Sequence, residues 1–315
     1  MIRLLENGPF LHAAGWTAGQ DYAVRLNTGD GWGVGESTIA FDEGKQPRLL
    51  APLSVEQLLA PLAPPLLRGS GVDRARSAAK STVLSALLAK SLVQTFNGQP
   101  GFDGKRVGVG IVSSSAIVPI FWKFESVGVS DSWQNTDTML LPASIPSAVG
   151  TATSKVTDSH ATAITFADGA VGMFSAIEHA YLCFFHGRAD YFMVIAAEEG
   201  CVPMMDAMGK MGVTREVIDG AAGFVLSRER LSEGDWQVAF VDTVAAGQVA
   251  DLPSGWAAVP RFVVRFDDHY AAYTGAVVPQ AIVQAVNTDA DQVVVEVVMA
   301  GRASSLLGLR RSSKT

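Results

Sequence analysis

Cysteine is nearly missing from this 315-residue chain: Cys183 and Cys201 are the only two. They cannot build a disulfide framework, and each is expected to be a small buried hydrophobe. Histidine is scarce too, at five, and no His/Cys/carboxylate cluster has zinc-ligand spacing, so neither metal nor cofactor is expected. Charged residues make up 17% of the chain, with 24 Lys and Arg against 31 Asp and Glu. The net charge of −7 and isoelectric point near 5.2 leave no basic surplus to neutralise phosphates. Nucleic acid and anionic membrane are therefore excluded as main partners. Every long apolar run is broken by charge, and the first residues lack a basic-then-apolar pattern, so neither membrane span nor secretion signal is expected. Unpaired cysteines make the cytoplasm the expected location. The glycine-rich stretch 29–35 lacks the spacing and the strand–helix context of a phosphate-binding loop, and there is no Gly-x-Ser-x-Gly elbow.

What is present is apolar: 48% of the residues are hydrophobic, enough for a large core. Pro61, Pro64 and Pro65 prevent a continuous helix over 60–68, after which Asp73 stands as N-cap to an Ala/Leu/Ser helix over 74–96. Short buried strands are expected at 105–113 and 191–199. Strands alternating with helices imply a layered α/β architecture. No internal repeat stands out in the sequence.

The stretch Thr162-Ala163-Ile164-Thr165-Phe166-Ala167-Asp168-Gly169 reads as a strand entering a tight turn before a helix over 170–185, with no nucleophile at the turn. Then come His186-Gly187-Arg188-Ala189-Asp190 and the apolar strand. This order resembles the β-ketoacyl synthase family, which reads T-A-C-x-x-G, helix, x-G-R-A-D, then an apolar strand. The resemblance implies a thiolase-like, five-layered α-β-α-β-α fold. It places an N-terminal half at 1–232 and a shortened C-terminal half at 233–315. Setting Gly169 on the family's glycine puts Phe166 at the cysteine position. Ala271-Ala272-Tyr273-Thr274-Gly275-Ala276 matches the family's G-H-T-x-G-A, with Ala272 at one catalytic histidine, while Asp267 takes the lysine position. The family's H-G-T-G-T segment has no counterpart. A benzyl group can neither ionise nor attack, so no catalysis by this chain alone is expected.

Catalytically silent ketosynthase relatives serve as chain-length factors of type II polyketide synthases, and the resemblance implies that role here. The expected partner is a cysteine-bearing ketosynthase, joined as a heterodimer, with acyl carrier protein docking through that partner. Thr162, Ile164 and Phe166 are the expected interface. Ile117, Phe121, Phe124 and Trp133 are the expected tunnel residues within the aromatic segment 117–133. Phe166 and the short second half resemble the compact subunits of polyene and aryl-polyene systems. The other open reading is a thiolase-fold enzyme of altered chemistry, a decarboxylase or acyl hydrolase using Asp168 or His160. On the residues themselves, Asp168 reads as an N-cap and Glu198 with Glu199 as a structural hydrogen-bonding pair. His179 and His186 read as a core and a C-terminal histidine of one helix.

Overall fold

Eight successive buried residues form the strand Tyr191–Glu198, and burial on both faces is why its sequence runs apolar without alternation. The computed structural model describes residues 4–5, 7–12, 27–28, 31–32, 38–40, 48–49, 79–114, 118–199, 217–218, 220–232, 234–248, 251–266, 277–299 and 304–312. The first strands are β1 (Phe10–His12), β2 (Asn27–Thr28), β3 (Gly31–Trp32), β4 (Thr38–Ala40) and β5 (Arg48–Leu49). After them come β6 (Val107–Val112), β7 (Thr162–Phe166), β8 (Tyr191–Glu198), β9 (Val217–Ile218) and β10 (Gly220–Ser227). The last are β11 (Trp236–Val244), β12 (Arg261–Phe266), β13 (Gln292–Met299) and β14 (Ser304–Arg311). The α-helices are α1 (Lys80–Phe96), α2 (Val118–Ser130), α3 (Ser147–Thr157), α4 (Gly172–Phe185) and α5 (Val277–Val286).

Nine strands join in the order β12-β13-β14-β11-β1-β10-β8-β6-β7. Outward from the β1–β11 contact, the two sides mirror each other. On one side β1 and β10 pair antiparallel, as do β10 and β8, and β8 lies parallel to β6. On the other, β11 and β14 pair antiparallel, as do β14 and β13, and β13 lies parallel to β12. A twofold repeat invisible in the sequence is thus written in the pairing. Strand β7 breaks it: it extends the first side by one strand, parallel to β6, and has no counterpart among the described residues. The seam itself is thin, with two residue pairs, Phe10 to Gln237 and Leu11 to Trp236.

Period-two alternation sorts the core into layers. Phe192, Val194 and Ala196 of β8 face a core shared with α4, α5 and the inner residues Val293, Val295 and Val297 of β13. Met193, Ile195 and Ala197 face the opposite way, onto α1 and Val149 of α3. Helices α4 and α5 therefore lie between two sheet portions, and α1 with α3 cover the outside of the first. Outside the second, Phe240 and Val294 are covered by Trp256, with Leu252 and Val259 beside it. Glycine sets the spacing of the inner layer: a Cβ on Gly108 would fall 2.5 Å from the Phe192 ring, and one on Gly110 2.8 Å from it.

Helix ends are fixed by tertiary partners more than by local caps. Ala79 is extended, so α1 begins at Lys80 and not near residue 74; Asp73, its expected cap, lies outside the described residues. Glu199 supplies the missing acceptor instead, taking the Ser81 amide at 3.0 Å and the Ser81 hydroxyl at 3.3 Å. Helix α4 ends in a Schellman turn: Arg188 N–H reaches Cys183 O at 2.8 Å, Gly187 N–H reaches Phe184 O at 3.0 Å, and Gly187 has φ 63°. Arg106 clamps the turn from α4 into β8, donating from Nε and Nη2 to Asp190 at 2.8 Å each and from Nη1 to the Gly187 carbonyl at 2.7 Å.

Adding a methyl at Gly108 has no free space to enter. Gly108→Ala is expected to destabilise the fold by about 1–3 kcal/mol through overpacking against Phe192, measured by urea unfolding; an unchanged midpoint would mean that the ring can retreat. A second expectation concerns acid. Hydrogen bonds from Arg106 hold the Asp190 carboxyl below its usual range; partial burial opposes them, and the charges of Arg106 and Arg228 add to them. The clamp's stabilisation is then complete above the unfolded carboxylate pKa of about 4 and is lost as pH falls through the lower folded value. Asp190→Asn should lower stability at neutral pH and flatten the pH dependence in that acid window, read from thermal melts between about pH 2 and 7.

Candidate functional site

The turn after β7 is built as the sequence suggests. Phe166 ends the strand, Asp168 precedes a short 3₁₀ turn Gly169–Val171, and α4 comes next. Gly169 adopts φ 63°, a left-handed conformation that favours glycine. Gly172 lets the helix start approach the sheet: a Cβ there would meet Val112 at 3.0 Å and Phe166 at 3.3 Å. Asp168 occupies the N-cap position, yet its side chain makes no capping bond and is exposed, which corrects the capping role expected of it.

Phe166 does not project into solvent as an elbow nucleophile would. It is half-buried against the inner core, its ring edge-to-face with His179 at 6.0 Å, and His179 packs in turn on Phe192 at 5.9 Å. Burial pushes the His179 pKa down, with Arg188 adding to the effect, and its Nε2 is buried without a hydrogen-bond partner. One turn further along α4, Cys183 is buried and its thiol pKa is raised chiefly by that burial. The elbow is thus plugged by an aromatic ring, backed by a neutral imidazole and a thiol that burial keeps protonated. His186 sits exposed at the C-cap, so the core and C-terminal roles expected of the two histidines hold. Cys201, His269, Asp267 and Ala272 lie outside the described residues.

The other residues open to a chemical reading are dispersed. His160 is exposed and engages Asp158, Nε2 to Oδ1 at 2.7 Å. Glu198 and Glu199, expected to bond as a pair, serve separate elements. Glu198 takes the Ser114 amide at 3.0 Å, with the Ser113 hydroxyl at 3.4 Å, while Glu199 caps α1. A cavity of about 340 Å³ lies between α4 and the second sheet portion, where Ser175 and Glu178 face Asp242 and Thr243.

Among the described residues the expected interface strand β7 has a neighbour on one side only and forms one edge of the sheet. Its side chains are not its free surface, because Ile164 and Phe166 pack inward on the core. The edge offers backbone. Of the expected tunnel residues, Ile117 lies outside the described residues. Phe121 is 51% exposed, as is its neighbour Trp122, while Phe124 is half-buried and tilts against Trp133 at 6.0 Å. Trp133, 55% exposed, lies so close over α2 that a Cβ on Gly128 would fall 2.3 Å from its ring. With Val129, Leu141 and Ile145 also exposed, large apolar side chains concentrate on this segment; such clustering marks surfaces that meet a partner or ligand.

Sequence reasoning misses one buried constellation because its members are so far apart along the chain. His12 Nε2 lies 2.7 Å from Ser227 Oγ, and His12 Nδ1 lies 3.6 Å from Asp235 Oδ1. The order matches a serine-hydrolase triad, but the serine is not placed to attack. Ser227 is 1% exposed, does not line the adjoining cavity of about 390 Å³, and directs its hydroxyl to the Glu229 carbonyl.

Among the described residues no group of three or more His, Cys, Asp or Glu could hold a metal ion, and no helix is long and apolar enough to cross a membrane. No protein-family model and no curated protein matches the chain. Solved structures do. The ishigamide ketosynthase/chain length factor aligns over 97% of this chain and 99% of its own at TM-score 0.64 and 14% identity. A β-ketoacyl synthase from Burkholderia phymatum STM815 aligns over 99% and 100% at 0.63 and 13%. A type II PKS acyl-carrier protein in complex with its ketosynthase bound to the hexaketide aligns over 98% and 99% at 0.60 and 13%. At such identities the likeness establishes fold alone, and the fold is the thiolase-like α/β fold of the ketosynthases.

Proposed function

We propose that this chain is a non-catalytic chain-length factor of a type II polyketide synthase, working as a heterodimer with a cysteine-bearing ketosynthase. The observation that carries the reading is the elbow: strand, turn and helix are kept, while Phe166 fills the nucleophile position with a ring packed into the core. Thiolate chemistry has no group there to use. Two features support a partner. Edge strand β7 leaves a row of backbone donors and acceptors for a second strand, and the aromatic segment on α2 exposes Phe121 and Trp122. The solved neighbours include a ketosynthase/chain length factor and an acyl-carrier protein with its ketosynthase, which is consistent with this role.

In this reading Phe121, Phe124 and Trp133, with Ile117, line the acyl tunnel shared with the partner. The carrier protein docks on the ketosynthase, because a subunit at −7 repels an acidic carrier. The halves divide at 232/233, in the turn between β10 and β11, and the compact second half suits a polyene-type system acting in the cytoplasm. The decarboxylase or hydrolase reading draws little support, since His160 and Asp168 are both exposed and Asp158, the partner of His160, is exposed as well.

Incubated alone with acyl- and malonyl-carrier protein, the chain is expected to show neither acylation nor condensation by intact-protein mass spectrometry; acylation of the isolated chain would overturn the proposal. Phe166→Cys is expected to cost about 1–3 kcal/mol of stability through lost packing and to remain unacylated, since the burial that lowers the His179 pKa makes it a poorer base and disfavours a thiolate beside it. Co-expressed with its ketosynthase, the chain should co-purify in a one-to-one complex. In that complex Phe121→Ala should lengthen the products. Normal assembly with unchanged product length would move the gate to Phe124 or Trp133.

A further inference from the structure

The Ser227–His12–Asp235 constellation sits at the thin seam where β1 meets β11, and it does not depend on the proposed function. His12 is 8% exposed and comes directly after the last β1 residue paired with β11. From α1, Phe96 meets its ring edge-to-face at 5.7 Å, and Gln99 lines the same cavity. From the end of α5 come Val286 and Asn287, both uncharged. From the 228–235 turn, Asp235 is the charge that faces the ring, with side chains 7% and 9% exposed for His12 and Asp235. Glu229 is exposed with Arg228 at 3.9 Å, Arg230 donates to the Ser232 carbonyl, and Arg311 lies over the Trp236 ring at 5.1 Å.

The chain of polar groups is one hydrogen short. Three gaps run from the Glu229 carbonyl through Ser227 Oγ and the imidazole to Asp235 Oδ1. The two ends only accept, so three gaps need three hydrogens. A serine hydroxyl and a neutral imidazole bring two. The hydroxyl proton goes to the Glu229 carbonyl, the Nε2 proton goes to Ser227 Oγ, and the Nδ1 lone pair is left facing a carboxylate. The 3.6 Å separation is what two facing acceptors would keep, and it is too long for a hydrogen bond. Asp235 is held as a carboxylate acceptor meanwhile, taking the amides of Leu231 at 2.9 Å and Ser232 at 2.7 Å and the Ser232 hydroxyl at 2.6 Å.

We propose that His12 is a proton-operated latch on the seam: one proton taken up at Nδ1 converts the gap to Asp235 into a hydrogen-bonded ion pair that ties β1 to the turn ahead of β11. Both groups line the cavity of about 390 Å³, so closing the pair draws its wall inward. Burial pushes the His12 pKa below its usual value, with Asp235 opposing, so the latch stands open at neutral pH and closes on acidification. A histidine harder to protonate folded than unfolded contributes stability that is complete above about pH 6.5 and declines as pH falls through its folded pKa. Closure is therefore accompanied by a loss of global stability.

The experiment is histidine-labelled ¹⁵N and ¹³C NMR of the full chain, titrated from about pH 4.5 to about pH 8 so as to span the imidazole range. At about pH 7.5 His12 is expected neutral with its hydrogen on Nε2, titrating below about 6.5. Asp235→Asn should lower that midpoint by about one further unit, because the opposing charge is gone. A neutral His12 carrying its hydrogen on Nδ1 would overturn the latch, since the pair would already be bonded. So would a midpoint indifferent to Asp235→Asn. The tautomer is read on the unaltered protein, so the test stands even where the variant fails to fold.

Discussion

Helix α4 is packed between two sheet portions, and that double burial governs the chemistry at its start. Met173, Phe174, Ala176, Ile177 and Ala180 are all at or near zero exposure, so the broad face turned to the two sheet portions is filled by apolar neighbours, while Glu178, Leu182 and Phe185 stay exposed. A helix so placed needs glycines where it approaches the sheet, and Gly110 and Gly172 supply them. It also dictates what an elbow residue becomes once it has no catalytic duty. A phenyl ring there gains both partial burial and an edge-to-face contact with His179. Phe166 is the outcome the surroundings favour.

The same packing explains which parts of the fold are legible in the sequence. Strands β6, β8 and β10 are buried on both faces and read as short apolar runs between turn residues, and the Phe166–Gly169 turn carries a glycine that its φ requires. The twofold repeat is not legible, because it lives in strand pairing and not in residue identity: β6-β8-β10-β1 and β12-β13-β14-β11 share directions, not sequences. Nor is the cap of α1, since Glu199 reaches Ser81 across 118 positions of chain. Reading Asp168 as a cap fails for a related reason. The short 3₁₀ turn starting at Gly169 shifts α4 to begin at Gly172, beyond a capping bond from Asp168.

The site residues divide along the same line. Phe166 is legible because a strand–turn–helix pattern points at one position, and its chemistry comes from residue type. Which of the aromatic residues is exposed does not follow from their type; Phe121 and Trp122 are open while Phe124 leans on Trp133, a distinction made by the return of the chain over Gly128. The constellation at the seam is beyond reach, because positions 12, 227 and 235 meet only through the pairing of β1 with both β10 and β11.

The asymmetry introduced by β7 ties the two halves of the functional reading together. Pairing in each half ends with a parallel strand, but among the described residues the first half alone carries one strand more, and that strand leads directly into the Phe166–Gly169 turn. Ile164 and Phe166 are committed inward to the core on one face, and on the other Thr165 Oγ1 stands 3.3 Å from where a Cβ on Gly150 of α3 would lie. The backbone edge is what remains uncommitted. An edge short enough at five residues to avoid open-ended aggregation, and ending in a ring packed on the core, is suited to one defined partner. In the proposed reading Phe166 stands where a nucleophile would, and the same ring, packed on the core, anchors the strand that a partner would meet.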